Sequence, residues 1–314
     1  MKRRILVVTV LTLFLGLAWN HQAVVDWWFL RSYDPPQEVE TLADSSYFSE
    51  TGRRLFYLSD PAVNDKQEFN INCPIFEKSY VLGCYSQQRI YILEVERQEL
   101  EGIMEVTAAH EMLHAAYDRL STRERDRVVE QLEAAYADID NDKLRSLIRS
   151  YEETGGESVR QNELHSIMAT QVIELPNEIE TYYGQYFSDR QAVAEIYAEY
   201  EGVFSELNRD IDRLQAEVTA VRDQLASLED QIVTTRAEVD GLNREMSRLE
   251  DEGEIAAYNQ LVPRQNAAVD RYNGYVDQYR GLVSRHNQLV DGLNRTVLLQ
   301  KDLVNSLDSK FESL

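Results

Sequence analysis

His110 and His114 stand four residues apart, with Glu111 directly after the first, in the run Ala108-Ala109-His110-Glu111-Met112-Leu113-His114-Ala115-Ala116-Tyr117-Asp118. On an α-helix residues four apart share a face, so the two imidazoles can meet one cation while Glu111 stands beside the remaining coordination position. These residue types suit hydrolytic zinc chemistry. Neutral imidazoles hold Zn2+ without cancelling its charge, and the ion acidifies a bound water. A carboxylate one residue along can take the proton of that water and later pass it to a leaving amine. Zn2+ is therefore the expected cofactor and Glu111 the expected general base.

Two histidines leave the ion short of the three protein ligands that a catalytic zinc site normally has. Asn162-Glu163-Leu164-His165 supplies two further candidates, Glu163 and His165. They are about 200° apart on a helix, so only one can face the metal. Leu164, Ile167, Met168, Gln171 and Val172 define the core side of that helix, and the two candidates flank it on either hand. Periodicity does not choose between them.

The pattern His110-Glu111-x-x-His114, followed on a later helix by Asn162-Glu163, is similar to the gluzincin group of metallopeptidases. The resemblance covers roughly positions 79 to 175 and implies Glu163 as third ligand and Glu111 as general base. His165 is then free to donate to a developing oxyanion. Ile167 stands where the thermolysin-like pattern has an aspartate, which opens the question of what orients the histidines. Asp118, one turn beyond His114, is the candidate. Tyr182, Tyr183 and Tyr186 are further candidate oxyanion donors, in competition with plain packing.

These residues need elements to position them. Ile90-Tyr91-Ile92-Leu93 reads as a strand just upstream of the motif helix. With Ser79-Tyr80-Val81-Leu82 and the turn Ser86-Gln87-Gln88 it predicts a hairpin. Ser49 to Leu58 and the turn signals Asp60-Pro61 and Asn64-Asp65 predict short elements before it. Ser121-Thr122-Arg123-Glu124 is a capping box opening the helix after the motif, Gly155-Gly156 breaks the chain, and Ser188 with Gln191 caps a later helix.

From Leu207 the chain changes character. Leu207, Ile211, Leu214, Val218, Val221, Leu225, Leu228, Ile232, Thr235, Val239, Leu242, Met246 and Leu249 alternate steps of four and three in one heptad phase. Asp251-Glu252-Gly253-Glu254 interrupts it, and a second array follows, with Val262 to Val304 at spacing seven and Pro263 near its start. A four-residue break makes the second helix the nearest partner for the first, which predicts an antiparallel hairpin. The second helix is apolar at two adjacent heptad positions, so one flank is a candidate surface for a homodimer or an envelope protein partner.

The 314 residues carry a net charge of −23, which argues against nucleic acid as a partner, and 43% hydrophobic residues exclude wholesale disorder. Lys2-Arg3-Arg4 before the apolar run Ile5 to Trp19 is a secretion signal or a membrane anchor. The residues after the run lack a small-x-small cleavage pair, which favours an uncleaved anchor with Trp27 and Trp28 in the aromatic belt. The catalytic part then faces out of the cytoplasm, where Cys73 and Cys84, the only cysteines, are expected to form a disulfide.

The resulting expectation is a mainly α (α+β) protein in four parts. They are an N-terminal anchor or signal over 1–28, a linker over 29–45 with Pro35-Pro36, a small zincin-like domain with a short β-hairpin over 46–200, and a coiled-coil hairpin over 201–314. The expected function is that of a membrane-anchored, extracytoplasmic zinc peptidase acting on protein or peptide. Two readings compete: a non-catalytic coiled-coil envelope scaffold with a structural metal, and a zinc amidase acting on cell-wall peptides.

Overall fold

The structure, a computed structural model, describes residues 21–73 and 81–309. The apolar run Ile5 to Trp19 and the hairpin residues Ser79 and Tyr80 lie outside the described residues. Among those described, no helix is long and apolar enough to cross a membrane. The architecture is mainly α, with a three-stranded sheet and a pair of long helices packed against each other. Residues up to Val203 together with Leu303 onward form one compact unit, and Phe204–Asp302 forms a second.

The first unit opens with α1 (His21–Ser32), α2 (Gln37–Ser45) and α3 (Glu50–Leu58). Within the segment expected to be a linker, residues 33–36 around Pro35 and Pro36 carry no helix or strand, but residues 29–32 belong to α1 and α2 buries Val39, Leu42 and Ala43. The prolines do not prevent this, because Pro36 occupies the N-cap of α2, where no backbone N–H is required of it. Strand β1 (Ala62–Asn64) and helix α4 (Lys66–Asn72) follow, then β2 (Gly83–Ser86) and β3 (Arg89–Leu93). The sheet order is β1-β3-β2, with β1 parallel and β2 antiparallel to β3.

The hairpin forms with a different outer strand from the one expected. Gly83 pairs with Ile92 and Ser86 with Arg89, closed by Gln87 and Gln88 at φ 52° and 66°. A two-residue turn with both φ values positive suits the twist of a hairpin, and it sets the register so that Gly83–Ser86 is the paired strand. Leu82 contributes one more bond, its carbonyl accepting from Leu93 N at 2.7 Å. Cys73 and Cys84 are joined in a disulfide that ties the end of α4 to β2.

Helix α5 (Ile103–Asp118) is the centre of the unit and packs against α2, α3, the sheet and α7 (Asp142–Gln171). Three quarters of its residues are buried, because alanines at 108, 109, 115 and 116 let neighbours approach closely. The capping box at Ser121 and Glu124 opens α6 (Thr122–Ala137). Helix α7 is interrupted at Gly156 (φ 75°, ψ −175°), one residue into the expected glycine break. After α8 (Asn177–Tyr183), α9 (Arg190–Asp251) is capped by Asp189, whose carboxylate accepts from Ala192 N at 3.0 Å. Ser188, the expected cap, instead donates its hydroxyl to Tyr47 O.

In the second unit, α9 and α10 (Ile255–Leu307) run antiparallel. Asn208 meets Gln300, Glu238 meets Arg271 and Asn243 meets Gln265. Every expected seam residue from Leu207 to Leu249 is buried or half-buried. The reversal is a Schellman turn: Glu254 N donates to Leu249 O and Gly253 N to Glu250 O, with Gly253 at φ 75°. Helix α10 runs through Pro263 rather than starting there. The coiled coil is shorter than expected at its end. Leu303, Leu307 and Ser309 are buried in the first unit, and the side chains of Lys66 and Asn70 on α4 bond to the carbonyls of Asn305 and Ser309.

Candidate metal centre

Helix α5 presents His110, Glu111 and His114 to a cleft of about 170 Å3 whose walls include Val81, Leu82 and Gly83 before and in β2, and Tyr151 and Glu163 on α7. Gly83 is required for this closeness. A Cβ there would lie 2.5 Å from Thr107 Cγ2 and 2.8 Å from Glu111 Oε1. The donor atoms of His110, Glu111 and His114 all lie within 4.8 Å of one another, so this group can hold a metal ion.

Glu163 reaches the same place from α7. Its Oε2 is 3.3 Å from His110 Nε2 and its Oε1 is 3.6 Å from His114 Nε2. Two donors each about 2.0–2.2 Å from one tetrahedral ion would be about 3.4 Å apart, so these separations would suit a cation shared with the imidazoles. The Oε2 contact lacks the alignment of a hydrogen bond, and this buried oxygen has no hydrogen-bond partner among the described residues. A cation shared with the imidazoles would satisfy it. Burial alone would raise the Glu163 carboxyl, but His114 and His110 beside it outweigh that and hold it below the ordinary carboxylate value.

The orientation of His114 comes from α7 and not from Asp118, which is exposed. His114 Nδ1 lies 3.1 Å from Asn162 Oδ1 and 3.4 Å from Ser166 Oγ. With the Nδ1–H donated to Asn162, the Nε2 lone pair is directed at the Glu163 side. The same turn of α7 thus supplies a candidate ligand and the group that aligns another.

His165 is not brought to the cleft. It is fully buried, its Nε2 is 2.8 Å from Tyr182 Oη, and its ring packs against Tyr117, Tyr182 and Tyr183. Burial lowers its pKa to about 3, so it is a neutral core group. The tyrosines expected as alternative donors belong to this same cluster. Tyr183 donates to His165 O, and burial raises Tyr182, Tyr183 and Tyr186. The oxyanion role foreseen for His165 therefore has no geometric basis.

Three residues that line the site or support the elements around it carried too little signal to be found by spacing. Asn162 was visible only as the neighbour of Glu163. Tyr151 lies on the far side of the break at Gly156, so no helical period relates it to the ligands. Arg190 reads as an ordinary surface charge, yet it is buried. It donates to the carbonyls of Ala169, Val172 and Ile173 at the end of α7 and pairs with both oxygens of Glu180. A guanidinium on those last carbonyls fixes the helix that carries Asn162 and Glu163.

Comparison with protein-family models, with curated proteins and with solved structures found no match to this chain. The fold and the site define a mainly helical protein with a group able to bind a metal ion.

Proposed function

We propose that the chain is a zinc-dependent peptidase in which His110, His114 and Glu163 hold the metal and Glu111 is the general base. The observation that carries this reading is the placement of the Glu163 carboxylate 3.3 and 3.6 Å from the two Nε2 atoms, the spacing of zinc co-ligands. Three protein ligands leave one position for reaction, whereas structural zinc is closed by four. Bound there, Zn2+ would supply a Lewis acid that acidifies water and polarises a carbonyl. Glu111, buried one residue beyond His110, takes the proton of the attacking water and returns it to the departing amine. Asn162 holds the His114 ring in its metal-binding tautomer. The apolar walls Val81, Leu82, Ile103 and Val106 limit water at the reacting carbonyl.

The test is metal analysis together with hydrolysis of an unstructured protein substrate by the parent chain and by Glu111→Gln. Both proteins should contain stoichiometric zinc, and hydrolysis should fall by about 100- to 10,000-fold in the variant. Equal hydrolysis by the two, or absence of metal from both, overturns the assignment. Zinc in both with hydrolysis in neither leaves a structural metal in a scaffold protein.

A further inference from the structure

Helix α1 has two faces of opposite character. Toward the body of the first unit, Asp26 lies 3.7 Å from Arg54, and Phe29 stacks on Tyr33, whose ring meets Tyr57 at 5.7 Å. Arg54 and Tyr57 are on α3, and α3 packs against the metal-bearing helix α5. Away from the body, Val24, Val25, Trp27 and Trp28 remain 46%, 53%, 57% and 71% exposed, with the Arg31 guanidinium over the Trp27 ring. No other five-residue stretch among the described residues leaves as many large apolar side chains in contact with solvent.

We infer that this outer face of α1 rests in the interfacial zone of a phospholipid bilayer, so that the first unit sits on the membrane with its cleft at a fixed height. Three observations select a bilayer as occupant. The apolar sequence Ile5 to Trp19 immediately precedes the helix. The exposed side chains are those favoured at the level of lipid headgroups, where indoles offer an apolar body and a polar N–H. The patch presents on the order of 400 Å2, about half of what each partner contributes to a stable protein interface. Asp26 of α1 pairs with Arg54 of α3 and Tyr33, just after α1, meets Tyr57 of α3, so the cleft follows the membrane instead of swinging on a tether. Its substrate class is then polypeptide held close to a membrane surface, an extension that rests on the peptidase reading.

Depth-dependent quenching in the full chain tests the docking without any catalytic readout. Trp19→Phe leaves Trp27 and Trp28 as the only tryptophans. In phosphatidylcholine vesicles, lipids brominated near the headgroup should reduce their emission at least twofold, and aqueous iodide should quench them weakly. Strong iodide quenching with no effect of bromine overturns the proposal. Insensitivity to both quenchers overturns it in favour of burial against protein, including a second copy of this chain. A second arm concerns the substrate. A peptide tethered to vesicle lipid by a short spacer should be cleaved at least fivefold faster than the free peptide, and Trp27→Ser with Trp28→Ser should abolish that preference without changing cleavage of the free peptide. Quenching without cleavage of either peptide sinks the peptidase reading alone, and cleavage without bromine quenching sinks the docking alone.

Discussion

The two units bury their apolar residues in different ways. In the first, Phe56, Phe69, Ile92, Met112, Leu113 and Leu164 are wholly enclosed, and α5 is surrounded on all sides. In the second, Val221 is buried but Leu214, Leu225, Ile232 and Val239 are only half-buried, because two helices alone cannot cover a seam from every direction. The candidate metal centre lies in the enclosed unit. Ligands must be held within fractions of an ångström, and that requires side chains locked by packing and by a surrounding layer of hydrogen bonds. A seam repeated every seven residues supplies length and register but no such enclosure.

The largest expected effect sharpens this contrast through the metal. Glu163→Ala should weaken zinc binding by more than about 1,000-fold, whereas His165→Ala should leave most of the metal bound and Leu228→Ala in the coiled coil should leave all of it. Competition with a zinc chelator measures all three. Metal loss in His165→Ala with retention in Glu163→Ala would exchange the roles assigned to the two residues.

Arg190→Met removes a buried cation that serves three carbonyls and leaves Glu180 without its partner, and should destabilise the first unit by about 3–5 kcal/mol. Denaturant unfolding followed by tyrosine signals checks it, and a change below about 1 kcal/mol would mean that the α7 terminus is held by other contacts. Core truncation should separate the units in the same assay. Ile92→Ala is expected to cost about 2–5 kcal/mol and Ile232→Ala about half as much, since part of the latter side chain is already in water. Equal losses would show that the seam is enclosed by something further, such as a second hairpin.

Asn162→Ala should lower zinc affinity by about 10- to 100-fold while the fold is kept, a smaller loss than that of a ligand because only the ring orientation is released. Unchanged affinity would assign the alignment of His114 to Ser166. The smallest effect is at the reversal of the coiled coil. Gly253→Ala forces a Cβ into the left-handed region and should cost about 1 kcal/mol, read from the unfolding of the second unit with zinc content unchanged.

How much of this was legible in the sequence follows from the range of the interactions. The seam from Leu207 to Leu249 and the reversal at Gly253 could be read residue by residue, because helical spacing and a four-residue break are local properties. His110, Glu111 and His114 were legible for the same reason, as one turn of one helix. The disulfide followed from there being only two cysteines in a part of the chain expected to lie outside the cytoplasm. Short apolar runs were less informative, so the hairpin was expected but its outer strand was displaced to Gly83–Ser86, and the parallel strand β1 was not foreseen. The prolines of the segment over 29–45 predict a linker, and burial of Val39, Leu42 and Ala43 shows that its second half is folded.

By itself the sequence determined which residues could do chemistry and where helices would repeat, since both are set by neighbours a few positions apart along the chain. Tertiary structure alone decided that Glu163 meets both imidazoles, that His165 is enclosed by tyrosines, that Asn162 and not Asp118 aligns His114, and that Arg190 is buried. Those outcomes depend on how α7 crosses α5 and on the break at Gly156. That crossing is fixed by side chains packing across some fifty positions of sequence, a distance over which no helical period survives.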